Sequence, residues 1–155
     1  MKKEIRKLHE SFLHAFRGLG LCIHGERNFR VHIVAAFYVT AFALMGRAGA
    51  VQGAILCVCF GLTMGAELMN TAIERLCDTQ APGDDGMVRN AKDIAAAGVF
   101  VCAAACVAIG LCLFLGGGIL PRALDYIAAH WWTAAALAVS VPFAAWFIFK
   151  YGRLQ

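Results

Sequence analysis

Glu67, Asn70, Glu74 and Asp78 stand at the end of a long apolar run, in "GAELMNTAIERLCD" over 65–78. At 100° per residue they share one helix face with Thr71, within an arc of about 100°, and spread about 16 Å along the axis. An ionisable group inside an apolar span is costly and marks a functional site by default. Glu67 lies deepest on this face. A lone buried carboxylate has little structural use, which makes it the candidate general base. Glu74 lies nearer the aqueous edge and suits a divalent cation, since Mg²⁺ takes one or two carboxylates together with phosphate oxygens. Asn70 and Thr71 also have a plainer reading as interhelical hydrogen-bonding groups, and Asp78 as a helix-end residue.

Two further polar clusters fall at the same edge. "GERNFRVH", 25–32, supplies Glu26, Asn28, Arg30 and His32, and "RNAKDIAAAG", 89–98, supplies Arg89, Lys92 and Asp93. Carboxylates for a metal beside cations for phosphate suggest phosphoryl transfer at a membrane surface. No G-x-x-x-x-G-K-[ST] loop is present, so a soluble phosphate-binding fold is not the scaffold.

The elements that must position these residues are membrane helices. The chain of 155 residues is 61% hydrophobic and 15% charged, a composition that excludes an ordinary soluble domain. Four apolar segments run over roughly 31–45, 50–73, 94–115 and 126–149. The last three are long enough to cross a bilayer core of about 20 helical residues. The first is short and must borrow turns from its polar N-terminal flank. "GRAG" 46–49, "TQAPGDDGMVRN" 79–90 and "GGGILPRALD" 116–125 carry turn residues and read as breaks. Pro142 is expected to kink the last span.

Ahead of the first span, Leu8, Phe12, Ala15, Phe16, Leu19 and Ile23 form an apolar stripe accompanied by Lys2, Lys3, Arg6, Lys7 and Arg17. That pattern fits a helix lying in the membrane surface. No apolar h-region or cleavage site suggests a signal peptide. The seven cysteines fall mostly inside apolar stretches without C-x-x-C pairing and read as reduced, buried small residues. With the N-terminus and the 79–92 loop inside, every basic residue except Arg47 and Arg122 is cytoplasmic, and four crossings return the C-terminus to the same side. Trp131, Trp132 and Trp146 sit near the two ends of the last span, as interfacial aromatics do.

"NFRVH", "ELMNTAIERLCD" and "AKDIAAAGV", in this order and spacing, resemble the prokaryotic diacylglycerol kinase family, which includes undecaprenol kinases; the likeness covers about residues 7–115. The resemblance implies an all-α integral-membrane helical bundle, with an N-terminal surface helix and three family transmembrane helices. Here these would make up a kinase domain over 1–118, and an extra fourth span over 119–155 lies beyond the family pattern and is expected to be dispensable for chemistry. It implies a homotrimer in the bacterial plasma (inner) membrane that moves the γ-phosphate of ATP, with Mg²⁺, onto a lipid hydroxyl. It further implies Glu67 as catalytic base with Asn70 beside it, and Glu26 and Glu74 as metal ligands that also meet the nucleotide. Lys92 and Asp93 match nucleotide-contacting positions. Lys7 and His14 fall where other members carry Arg and Tyr, and Gly83, Asp84 and Asp85 form the loop near the nucleotide. Arg30, His32 and Glu67 are expected to meet the acceptor.

His32 after "NFR" resembles the undecaprenol-kinase-like branch, where the diacylglycerol-specific branch tends to carry Glu. Undecaprenol is therefore the expected acceptor, with diacylglycerol as the alternative. A non-enzymatic transporter or assembly protein with Glu67 as a proton relay is the competing class. A phosphatase is disfavoured by the absence of its usual His/Arg signatures. No nucleic-acid partner is expected.

Overall fold

A computed structural model of the chain describes residues 2–80 and 86–153. Its order is α1 (Lys2–Gly25), α2 (Arg27–Met45), α3 (Ala50–Gln80), α4 (Gly86–Leu111), a π-helical turn (Cys112–Gly116), α5 (Ile119–Ala129), α6 (Trp131–Phe149) and a 3₁₀ turn (Tyr151–Arg153). The described residues contain no strand.

Four stretches are long and apolar enough to cross a membrane: Arg27–Met45, Ala50–Thr79, Gly86–Gly116 and Trp131–Phe149. The first does recruit its polar flank, starting at Arg27. Few side chains are buried within the chain, and large apolar residues such as Val51, Phe100 and Val139 are exposed on the spans. An exterior of that kind is the signature of helices solvated by lipid or by other helices.

α3 packs along its length against α4, and α2 packs against α3, α5 and α6. The hinge between α1 and α2 is the single residue Glu26, whose extended backbone (φ −105°, ψ 115°) breaks the helical run. At the opposite end, Arg47 takes a left-handed φ of 52° in the α2–α3 turn. Gly46 beside it lets α5 approach, because a Cβ there would stand 2.3 Å from the Ile119 carbonyl oxygen.

Two expectations change. The 116–125 stretch is not an open turn: helix resumes at Ile119, with Pro121 in the first turn, where a missing N–H costs nothing. The fourth span begins at Trp131 rather than near Tyr126, because the chain breaks at His130 (φ −130°, ψ 77°). α6 runs on through Pro142. All seven cysteines are free, as expected, but only Cys22 and Cys59 are buried within the chain; Cys57 and Cys112 are exposed.

Candidate functional site

α3 is one uninterrupted helix, so its polar residues keep the register read from the sequence. Thr63, Glu67, Asn70 and Thr71 are all buried, Glu67 to 3% exposure. Asn70 donates through Nδ2 to Glu74 Oε1 at 2.9 Å, one turn further on. Glu67 Oε1 and Asn70 Oδ1 are buried without a hydrogen-bond partner. His32 Nε2 on α2 is 3.8 Å from Glu67 Oε1, beyond hydrogen-bonding reach. Two adjacent acceptors left unsatisfied in an apolar span are costly, and they are poised to meet a donor from outside the chain.

These groups face a cavity of about 400 Å³ lined by Asn28, Val31 and His32 from α2, Glu67, Asn70 and Glu74 from α3, and Ala96, Val99 and Phe100 from α4. Val31 and His32 also wall an apolar groove of about 620 Å³ that runs between α2, α3 and α4 toward Leu120 of α5. The polar cavity and the apolar groove therefore meet at His32 and Val31. A hydroxyl attached to a long apolar chain is the shape such a pair accommodates.

Glu26 sits at the N-cap of α2, yet makes no side-chain bond to its own helix. Its Oε1 is 3.6 Å from Arg75 Nη2. The charges of Glu26 and Glu74 both act on Glu67, and Asn28 interacts with the Glu67 carboxyl group. Lys92 on α4 binds Asp78 at the end of α3.

The expected residues divide by place. Glu67, Asn70, Glu74 and His32 are brought together in the cavity, whereas Glu26 lines a different cleft, with Arg30, Ile148 and Gly152. Lys92 is held by Asp78 outside the cavity wall, and Asp93 is exposed next to it. Lys7 and His14 are exposed on α1, where Lys7 pairs with Glu4 at 3.3 Å, and neither lines the cavity. Gly83, Asp84 and Asp85 lie outside the described residues.

Arg30 requires a correction. Expected to meet the acceptor, it is instead buried and turned away. Nε donates to Ile148 O at 3.1 Å, and Nη1 to Ile23 O at 2.9 Å and His24 O at 3.0 Å. Those carbonyls belong to the last turns of α6 and α1, which lack partners within their own helices and carry the negative end of the helix dipole. Helical spacing explains the misplacement: Asn28 and His32 share a face, whereas Arg30 is rotated about 160° from both. The same spacing points to Asn28, which lines the cavity and was assigned no role above.

The fold and site together define a membrane-embedded helical bundle with a carboxylate-lined polar cavity open to an apolar groove. The family model of prokaryotic diacylglycerol kinase matches residues 13–114. The chain belongs to that family and is a lipid kinase, with ATP as phosphoryl donor. It is 33% identical to an undecaprenol kinase of Bacillus subtilis over 114 residues, 74% of this chain and 93% of that one. It is 34% identical to a diacylglycerol kinase of Synechocystis over 123 residues, 74% of this chain and 70% of that one. It is also 38% identical to a diacylglycerol kinase of Sinorhizobium over 96 residues, 61% of each chain. No solved structure matches.

Proposed function

We propose that the protein phosphorylates undecaprenol at the cytoplasmic face of the plasma membrane, as a homotrimer using Mg-ATP. The observation that carries the reading is Glu67 Oε1, buried without a hydrogen-bond partner in a polar cavity that meets the apolar groove at Val31 and His32. The groove takes the start of the prenyl chain and the cavity takes the hydroxyl. Glu67 accepts the hydroxyl proton as the alcohol oxygen bonds to the γ-phosphorus and the bond to the ADP oxygen breaks, giving lipid phosphate and ADP. Asn70 has an open acceptor beside that proton and fixes Glu74 through its amide.

Glu26 and Glu74 are the groups that would hold Mg²⁺. Among the described residues no cluster of three or more His, Cys, Asp or Glu forms an all-protein metal cage. Two carboxylates completed by phosphate oxygens and water are the usual magnesium arrangement, so this donor set fits the ion. Bound there, Mg²⁺ would neutralise charge on the phosphates. Lys92 and Asp93, with Lys7, His14 and the 83–85 loop, are assigned to the nucleotide on family resemblance.

The acceptor is read as undecaprenol from His32 and from the relative of that name, matched over 93% of its length. Purified protein in lipid vesicles, given labelled ATP and a panel of undecaprenol and diacylglycerol, tests it. Preferential labelling of undecaprenol is expected, and preferential labelling of diacylglycerol overturns the assignment.

A further inference from the structure

The chain after α6 is tied to the α1–α2 corner by several independent contacts. Arg30 joins the last turns of α1 and α6 through their carbonyls. Tyr151 stacks on His24 with ring centroids 5.0 Å apart and planes 22° from parallel. Trp146 and Phe147 of α6 back the Tyr151 ring, at 5.9 Å and 5.2 Å. Gly152 lies so close that a Cβ there would stand 2.2 Å from the His24 carbonyl oxygen. This is a fitted joint rather than a tail passing by.

The corner it grips carries Glu26 and Asn28. Glu26 is the hinge between two helices: its backbone N–H donates to Cys22 O at 2.8 Å and its carbonyl accepts from Arg30 N at 3.4 Å, but its side chain makes no cap bond, so where the carboxylate points depends on what holds the corner. From α3, Arg75 holds it, reaching Glu26 at 3.6 Å and the Leu21 carbonyl at 3.5 Å. From the opposite side, the α6 end and the 3₁₀ turn are packed against it. A cleft of about 400 Å³, walled by Glu26, Asn28 and Arg30 on one side and by Ile148 and Gly152 on the other, marks the joint.

We propose that the C-terminal segment is a latch that positions Glu26 and Asn28 for the phosphoryl transfer, with Arg30, Tyr151 and Gly152 as positioning residues. The fourth span is then part of the working core rather than a detachable addition. None of the three touches the reacting atoms; they act through the corner. The inference rests on Glu26 as a ligand for Mg-ATP.

Three full-length or nearly full-length variants test it: Gly152→Ala, Tyr151→Ala, and a chain ending at Lys150. Each is expected to raise the Mg-ATP concentration for half-maximal rate about 10- to 100-fold, since a misplacement of about 1 Å can cost about 10²-fold, while the KM for lipid stays put. In a Glu26→Ala background the same changes should add little, because the group they position is gone. Alkylation of Cys22, which is buried at 5% exposure on the last turns of α1, should accelerate when the latch is lost. Folded variants with unchanged Mg-ATP dependence overturn the latch, as do effects that multiply fully with Glu26→Ala. Failure of all three to fold would make the segment merely structural and overturn it too. If wild type phosphorylates no lipid, the proposed function fails instead, and Cys22 alkylation still decides whether the joint exists.

Discussion

The Asn70 amide donates to Glu74 Oε1 at 2.9 Å while its own carbonyl oxygen is left without a partner beside Glu67. One side chain thereby holds the proposed metal carboxylate and leaves an open acceptor one turn from the proposed base. Hydrogen bonds to a charged group contribute about 1.5–3 kcal/mol, so Asn70→Leu is expected to raise the Mg²⁺ requirement by roughly 10- to 100-fold. Asn70→Gln is expected to recover part of the loss. Initial rates across a Mg²⁺ titration measure both, and an unshifted titration in Asn70→Leu would separate Asn70 from Glu74.

Glu67→Gln keeps the shape of the buried side chain and removes its capacity to take a proton. The turnover is expected to fall about 10²- to 10⁴-fold, the usual contribution of a general base, with folding and Mg-ATP binding retained. Single-turnover transfer from labelled ATP reads the chemical step directly. Near-native transfer would assign the base elsewhere.

Glu26 stands between α1 and α2 and Glu74 on α3, so the proposed magnesium site draws on separate elements of the folded bundle. Glu26→Ala and Glu74→Ala are each expected to raise the half-saturating Mg²⁺ concentration about 10-fold or more, as loss of one of few protein ligands does. Glu26→Ala also releases Arg75, whose partner it is at 3.6 Å. Arg75→Ala in the same background separates that effect from lost metal binding. Wild-type Mg²⁺ dependence in both single variants would remove the carboxylates from the metal site.

How much of this was legible in the sequence depends on whether one helix or several were needed. The polar face of α3 required only an unbroken helix from Ala50 to Gln80, and spacing alone placed Glu67, Asn70 and Glu74 together. The borrowing of Arg27 by the first span followed from bilayer thickness. Arg30 was not legible, because its partners are the carbonyl ends of α1 and α6, and nothing local announces that those ends meet. α5 was obscured by glycines and a proline that signal turns. The glycines do make the turn at 117–118, but Pro121 falls in a helix's first turn, where it is harmless.

Gly46→Ala tests the packing of α5 on the α2–α3 turn. The backbone at Gly46 has φ −79°, open to any residue, so the penalty is purely steric. A Cβ would stand 2.3 Å from the Ile119 carbonyl oxygen, which is backbone and cannot swing aside. Overpacking of this kind costs about 1–3 kcal/mol. A lowered Tm in detergent, followed by circular dichroism, is the expected result. A wild-type Tm would mean that α5 moves freely relative to α2.

The last prediction concerns which way the bundle faces. Tyr151 against His24, and Arg75 against Glu26, put the C-terminal turn, the α1–α2 corner and the end of α3 at one end of the molecule. Gly46 against Ile119 puts the α2–α3 turn and the start of α5 at the other. The first end carries Arg27, Arg30, Arg75, Lys92 and Lys150; the second carries Arg47 and Arg122. Positive residues near short loops are retained in the cytoplasm, so the first end should be cytoplasmic. A reporter fused after Gln155 should read cytoplasmic, and a small tag inserted between Arg47 and Ala48 should be reached only from outside. Opposite labelling would invert the bundle and place the Glu67 cavity away from cellular ATP. Labelling of both sites from one side would break the four-span topology itself.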